Sequence, residues 1–185
     1  IYQAVGFASQ APDPVATASA TQTSATQFAV AYDVSTADSY AGGVIAFDDY
    51  GTVPVETEDL SAVANLTLGL SLSSGSGNFY LELKDSAGNT ARVLLNNVTT
   101  SEQFYQVALN LFAGVNLALV TSITIVAENG VVPNAATLNV RVGDIPYTQV
   151  INSNPALTAA DISHLSGIYQ AVGFASQAPD PVATA

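Results

Sequence analysis

The chain has 185 residues, with 3 basic against 15 acidic side chains and a net charge of −12. So few Lys and Arg cannot neutralise a run of phosphates, which makes nucleic acid and anionic membrane surfaces poor partners. Cys is absent, removing disulfides, thiol nucleophiles and zinc–thiolate sites, and no apolar run is long enough for membrane insertion.

In chain order, Ile1–Ser9 alternates Ile1, Gln3, Val5 and Phe7 with Tyr2, Ala4, Gly6 and Ala8, the period of a strand. Residues 11–27, APDPVATASATQTSATQ, carry two prolines and no helical apolar period, and predict an extended linker. Residues 1–27 thus read as a joining strand plus linker. Eight short alternating runs follow: Phe28–Val34, Tyr40–Asp48, Asn65–Leu72, Asn78–Asp85, Asn89–Asn96, Gln103–Asn110, Thr121–Glu128 and Ala136–Asp144. Most are bounded by turn-formers such as SSGSGN and DSAGN. Residues 28–150 therefore predict an all-β fold, a two-sheet antiparallel jelly-roll β-sandwich with an extended terminal joining strand; an immunoglobulin-type sandwich is the main competitor, though its Cys and Trp markers are lacking here. Residues 151–167 predict a connector with a short helix over Ala159–Ser166, capped by Thr158 and Gly167.

One hairpin has a definite predicted register. Pairing Asp85 with Asn89 leaves Ser86-Ala87-Gly88 as a three-residue loop, with Gly88 free to take positive φ. Glu82 then faces Arg92 and Tyr80 faces Leu94, while Phe79, Leu81 and Leu83 share the other face with Ala91, Val93 and Leu95. An opposite-charge cross-strand pair supports that register.

The ends of the chain are copies. Ile1–Ala18 reads IYQAVGFASQAPDPVATA, and Ile168–Ala185 repeats all eighteen letters at an offset of 167. Residues 168–185 are therefore the start of a second repeat, and one 167-residue unit, without the duplicated Asp180, carries −11. A tandem array, an assembled filament or an engineered copy would each produce this pattern. All three make the segment meet a neighbouring unit, with Ile1, Val5, Phe7, Ile168, Val172 and Phe174 as the joining residues.

The stretch Asp59–Ile145 reads DLSAVANLTLGLSL, NFYLELKDSAGNTARVLLNN, SEQFYQVALNLF, LVTSITIVAEN and ATLNVRVGDI. It resembles the jelly-roll carbohydrate-binding modules of the galactose-binding-like type, and VIAFDDY at Val44–Tyr50 resembles their acidic opening. It also resembles modules repeated within very long bacterial surface proteins. The resemblance implies the jelly-roll fold, a structural calcium near the ends of the domain and contact with glycans.

The residues fit those roles as follows. An all-oxygen donor set favours calcium over transition metals, with Asp48, Asp49 and Asp144 as the candidate ligands. Tyr80, Glu82 and Arg92, with Lys84 beside them, combine a ring with hydrogen-bonding groups for a glycan. Asp161-x-x-His164 lacks a neighbouring nucleophile, and the acids Asp48-Asp49 and Glu56-x-Glu58-Asp59 read as solvated loop charges, so no enzyme is expected. The leading expectation is a structural repeat unit of an extracellular filament or giant cell-surface adhesin, partnered by identical units. The alternative is a non-catalytic carbohydrate-binding module.

Overall fold

The computed structural model describes residues 3–143, Ile145, 150–151 and 170–172, with Gln3 and the last two stretches as backbone only. The described strands are β1 Gln3–Ala8, β2 Thr17–Ser24, β3 Gln27–Asp33, β4 Tyr40–Ala46, β5 Asn65–Leu72 and β6 Gly77–Asp85. They continue with β7 Thr90–Val98, β8 Gln103–Ala108, β9 Val120–Glu128, β10 Ala135–Arg141, β11 Val150–Ile151 and β12 Gln170–Val172. Sheet A has the order β12-β1-β4-β9-β6-β7 and sheet B the order β11-β8-β5-β10-β3-β2. All pairings are antiparallel except the two short edge strands, β12 along β1 and β11 along β8. The chain is thus an all-β jelly-roll sandwich, as predicted; its described helix is two 3-10 turns, Leu109–Leu111 and Leu117–Leu119.

Period-two alternation builds the core. Phe79, Leu81 and Leu83 of β6 and Ile123 and Ile125 of β9 are fully buried on the inner face of sheet A. They meet Phe28 and Val30 of β3, Leu68 and Leu70 of β5, and Leu138 and Val140 of β10. Each such side chain contributes about 1.5–3 kcal/mol of burial. Tyr32 packs edge-on against Phe79 at 6.2 Å, and burial holds its phenol far above the usual tyrosine range.

The predicted hairpin is present in its predicted register, with Glu82 opposite Arg92, Tyr80 opposite Leu94 and Gly88 at φ 84°. Asp85 is its anchor. Its carboxylate accepts from the backbone N–H groups of Ala87, Asn89 and Asn116 and from the Asn89 amide, at 2.8–2.9 Å. Those donors, Asn116 first, bring its pKa down to about 2.

The predicted linker over residues 11–27 is different in the structure. Thr17–Ser24 is a strand, β2, paired with β3 along the edge of sheet B. Its inward positions Ala18 and Ala20 are buried, while Thr17, Ser19 and Thr21 are exposed. Alanine carries too little apolar signal to mark a strand by periodicity, yet its small size is what the packing uses. β1 faces β2 with Ala4, Gly6 and Ala8, and a Cβ on Gly6 would lie 3.1 Å from the Ser19 and Ala20 backbone. β1 itself belongs to this chain's own sheet A, paired with β4 from Gln3–Ala46 to Ala8–Ala41. The expected helix over Ala159–Ser166, with Asp161, His164, Ile1, Asp144, Ile168 and Phe174, lies outside the described residues.

Candidate functional site: the outer face of sheet A

Register places the outward side chains of sheet A in rows. One row runs Val5, Val44, Thr124, Glu82, Arg92, and the next runs Phe7, Gly42, Val126, Tyr80, Leu94. A third joins Ser122 to Lys84. These rows, apart from Gly42, Tyr80 and Leu94, floor a groove of about 810 Å³. Its rims are the turn after β1 (Gln10, Pro12, Asp13), the loop after β4 (Asp48, Tyr50, Val55) and the β6–β7 turn.

The sequence-predicted glycan residues come together on this face. The Arg92 guanidinium lies 4.9 Å above the Tyr80 ring, a cation–π contact, and its Nη1 donates to Glu128 Oε1 at 2.6 Å. Glu82 and Arg92 line the groove, whereas Tyr80 stands beside it with its ring against Arg92. Burial pushes the Glu82 carboxyl up, Arg92 and Lys84 pull it down in part, and Glu128 adds to the rise. Two rings that line the groove, Tyr40 and Tyr50, were missed from sequence. Tyr40 packs against Phe7 with centroids 6.3 Å apart, and Gly42, Phe7's cross-strand partner, leaves room for that ring. The signal was present in Tyr40-x-Gly42-x-Val44, but using it needed the β1–β4 pairing.

At one rim, Asp48, Asp49 and Glu56 bring one carboxylate oxygen each to within 4.8 Å of one another. Two of the sequence-predicted ligands are therefore together, and Glu56 joins them; Asp144 lies outside the described residues. Thr52 stitches the loop: its hydroxyl donates to Glu56 Oε1 at 2.6 Å and lies 3.0 Å from Asp49 Oδ1. The Gly51 and Thr52 N–H groups also bond Asp49, and the Tyr50 N–H bonds Asp48 Oδ1 at 3.1 Å. These bonds hold Asp49 and Glu56 below the usual carboxylate range, led by the Gly51 N–H for Asp49 and the Thr52 hydroxyl for Glu56. Asp48 is buried, and that burial, with Glu56 and Asp49 close by, raises its carboxyl. The sequence holds two Asn-x-Thr sequons, Asn65-Leu66-Thr67 and Asn97-Val98-Thr99; Asn65 is buried within β5, while Asn97 is exposed in a positive-φ position.

No family model matches the chain, and no curated protein matches it. Among solved structures it is similar to the family 11 carbohydrate-binding module of the cellulosomal cellulase Lic26A-Cel5E of Clostridium thermocellum. That match has a TM-score of 0.51 and 14% identity, over 75% of this chain and 84% of the other. A family 11 module from Clostridium thermocellum in complex with a β-1,3-1,4-mixed-linked tetrasaccharide gives 0.52 and 14%, over 75% and 85%. The fold is thus that of the jelly-roll carbohydrate-binding modules, as the sequence resemblance implied.

Proposed function

We propose that the chain is a non-catalytic carbohydrate-binding module that takes a glycan chain in the groove across sheet A. The observation that carries this is the groove itself: a volume of about 810 Å³ with Tyr40 and Tyr50 for ring contact. Glu82, Lys84 and Arg92 supply hydrogen bonds from its floor. The fold likeness to family 11 modules, one of them solved with a tetrasaccharide, supports the same reading. Isothermal titration against an array of soluble polysaccharides tests it. Tyr40→Ala and Arg92→Ala should each weaken binding about tenfold while the circular dichroism stays unchanged. No binding by the parent chain, or equal binding by both variants, would overturn the reading.

Calcium belongs to this proposal as a structural ion at Asp48, Asp49 and Glu56. The donors are all hard oxygens, and the three acids lie close enough to share one cation; burial first, then the neighbouring Glu56 and Asp49, raises the Asp48 carboxyl. A melting temperature that rises with calcium, falls with chelator and stops responding in Asp48→Asn is the expected result.

A second reading is that the chain is a repeat unit of an extracellular or cell-surface array, joined through its terminal segment. It is favoured by the repeated segment's own position, since β12, the second copy, lies along β1, the first.

A further inference from the structure

β1 and β12 pair in parallel, Gln3 with Gln170, Ala4 with Ala171 and Val5 with Val172. The offset is 167, that of the sequence repeat, so one strand maps onto the other by translation across the sheet. In each bridged pair of a parallel ladder, one residue points its N–H and C=O toward the partner strand and the other points them away. Both therefore point the same way in space. β12 consequently offers β1 the same main-chain edge that β1 offers β4. A strand has one such edge, so a copy can pair as β12 or sit beside a β4, never both.

The place beside β4 is the better bonded. β1 pairs there over six residues, against three for β12 on β1. The second copy also holds what that slot uses. Ala171, Gly173 and Ala175 match the inward Ala4, Gly6 and Ala8. Ser176 matches Ser9, whose N–H donates to the Tyr40 carbonyl at 2.8 Å and whose hydroxyl accepts from the Tyr40 N–H at 3.1 Å. Ala183 matches Ala16, whose N–H donates to the Ser9 carbonyl at 2.9 Å.

We infer that neighbouring units link by strand exchange: residues 170–175 of one chain fill the slot beside β4 of a second copy, replacing that copy's residues 3–8. This rests on the reading of the chain as a joined repeat. Exchange costs little because an identical strand restores the hydrogen bonds and packing that the departing one gives up. The displaced first copy can take the edge position that β12 holds here. The 18 residues from 152 to 169 have a contour length of about 60 Å, enough to reach a neighbouring unit.

The described residues contain no Cys, nor does the rest of the chain, so engineered disulfides report cleanly. Val44 and Val172 flank Val5 from opposite sides, about 10 Å apart at strand spacing and too far to bridge. The full chain carrying Val44→Cys and Val172→Cys should, under oxidation, give a ladder of covalent oligomers on a non-reducing gel. A disulfide confined to the monomer, or none, overturns the inference. Val5→Cys with Val172→Cys separates the two ideas. If only this pair links chains, units join edge to edge and exchange alone is wrong; if neither pair does, the joined-repeat reading falls as well. Gly6→Val disables the first copy for the slot and should raise the oligomer fraction several-fold. Gly173→Val should abolish oligomers while leaving the circular dichroism unchanged, and the reverse pattern would overturn the exchange.

Discussion

The β6–β7 hairpin and the β1–β2 corner meet the same core from opposite edges of sheet A, and they are built on opposite principles. The hairpin fills volume: Phe79, Leu81 and Leu83 are fully buried, and a three-residue turn fixes the register. The corner removes volume: Ala4, Gly6, Ala18 and Ala20 let two backbones approach until a single Cβ would touch the facing chain. The first arrangement tolerates no loss of atoms and the second no gain. Leu81→Ala should cost about 2–5 kcal/mol in chemical denaturation, through reduced burial and a residual cavity. Gly6→Val should cost about 1–3 kcal/mol through overpacking. If Leu81→Ala proved the milder of the two, the corner, not the hairpin, would be the stiffer part of the sandwich.

The hairpin also has an electrostatic anchor with no counterpart at the corner. Asp85 gathers N–H groups from its own turn and from Asn116, tying the loop before β9 to the hairpin. Asp85→Ala leaves those donors without their acceptor and should lower the melting temperature by about 5 °C. Because its carboxyl is held near 2 against an ordinary 3.8, its contribution is complete above pH 4 and disappears as pH falls through 2. Melting curves of Asp85→Asn and the parent should therefore converge at the acid end of that window and separate above it.

The same contrast explains what the sequence made legible. Large alternating residues and a Gly-bearing turn announce β6 and β7 in letters, and so does the opposition of Glu82 and Arg92. Ala16, Ala18 and Ala20 announce nothing, because a linker is also rich in Ala, Ser and Thr; β2 became visible only as the surface that β1 closes on. The groove face was half legible for a related reason. Glu82 and Arg92 follow from a local hairpin, but Tyr40 and Val5 reach the groove through β1–β4 and β4–β9 pairings between distant segments. Glu56 reaches Asp48 and Asp49 only because Thr52 folds the intervening loop back.

The smallest expected effect lies within the hairpin, between two acids three residues apart on β6. Asp85 points inward to donors that stabilise its charge, whereas Glu82 points outward into the half-buried groove floor, where burial outweighs the pull of Arg92 and Lys84. Their shifts have opposite signs, and so do their linkages. A carboxyl whose folded pKa is raised binds its proton more readily in the native state. Its contribution is therefore present below the ordinary glutamate range and lost as pH rises through the folded value. Glu82→Gln carries no titrating proton at that position. The parent should be the more stable of the two in acid and lose that advantage toward neutral pH, with a change of about 1–2 °C in melting temperature after solvent screening. A difference that stays flat across this range would mean that Arg92 and Lys84 fully compensate Glu82. The groove floor would then be electrostatically neutral ground for the proposed glycan, not a place where one of its hydroxyls would gain from meeting an under-solvated carboxylate.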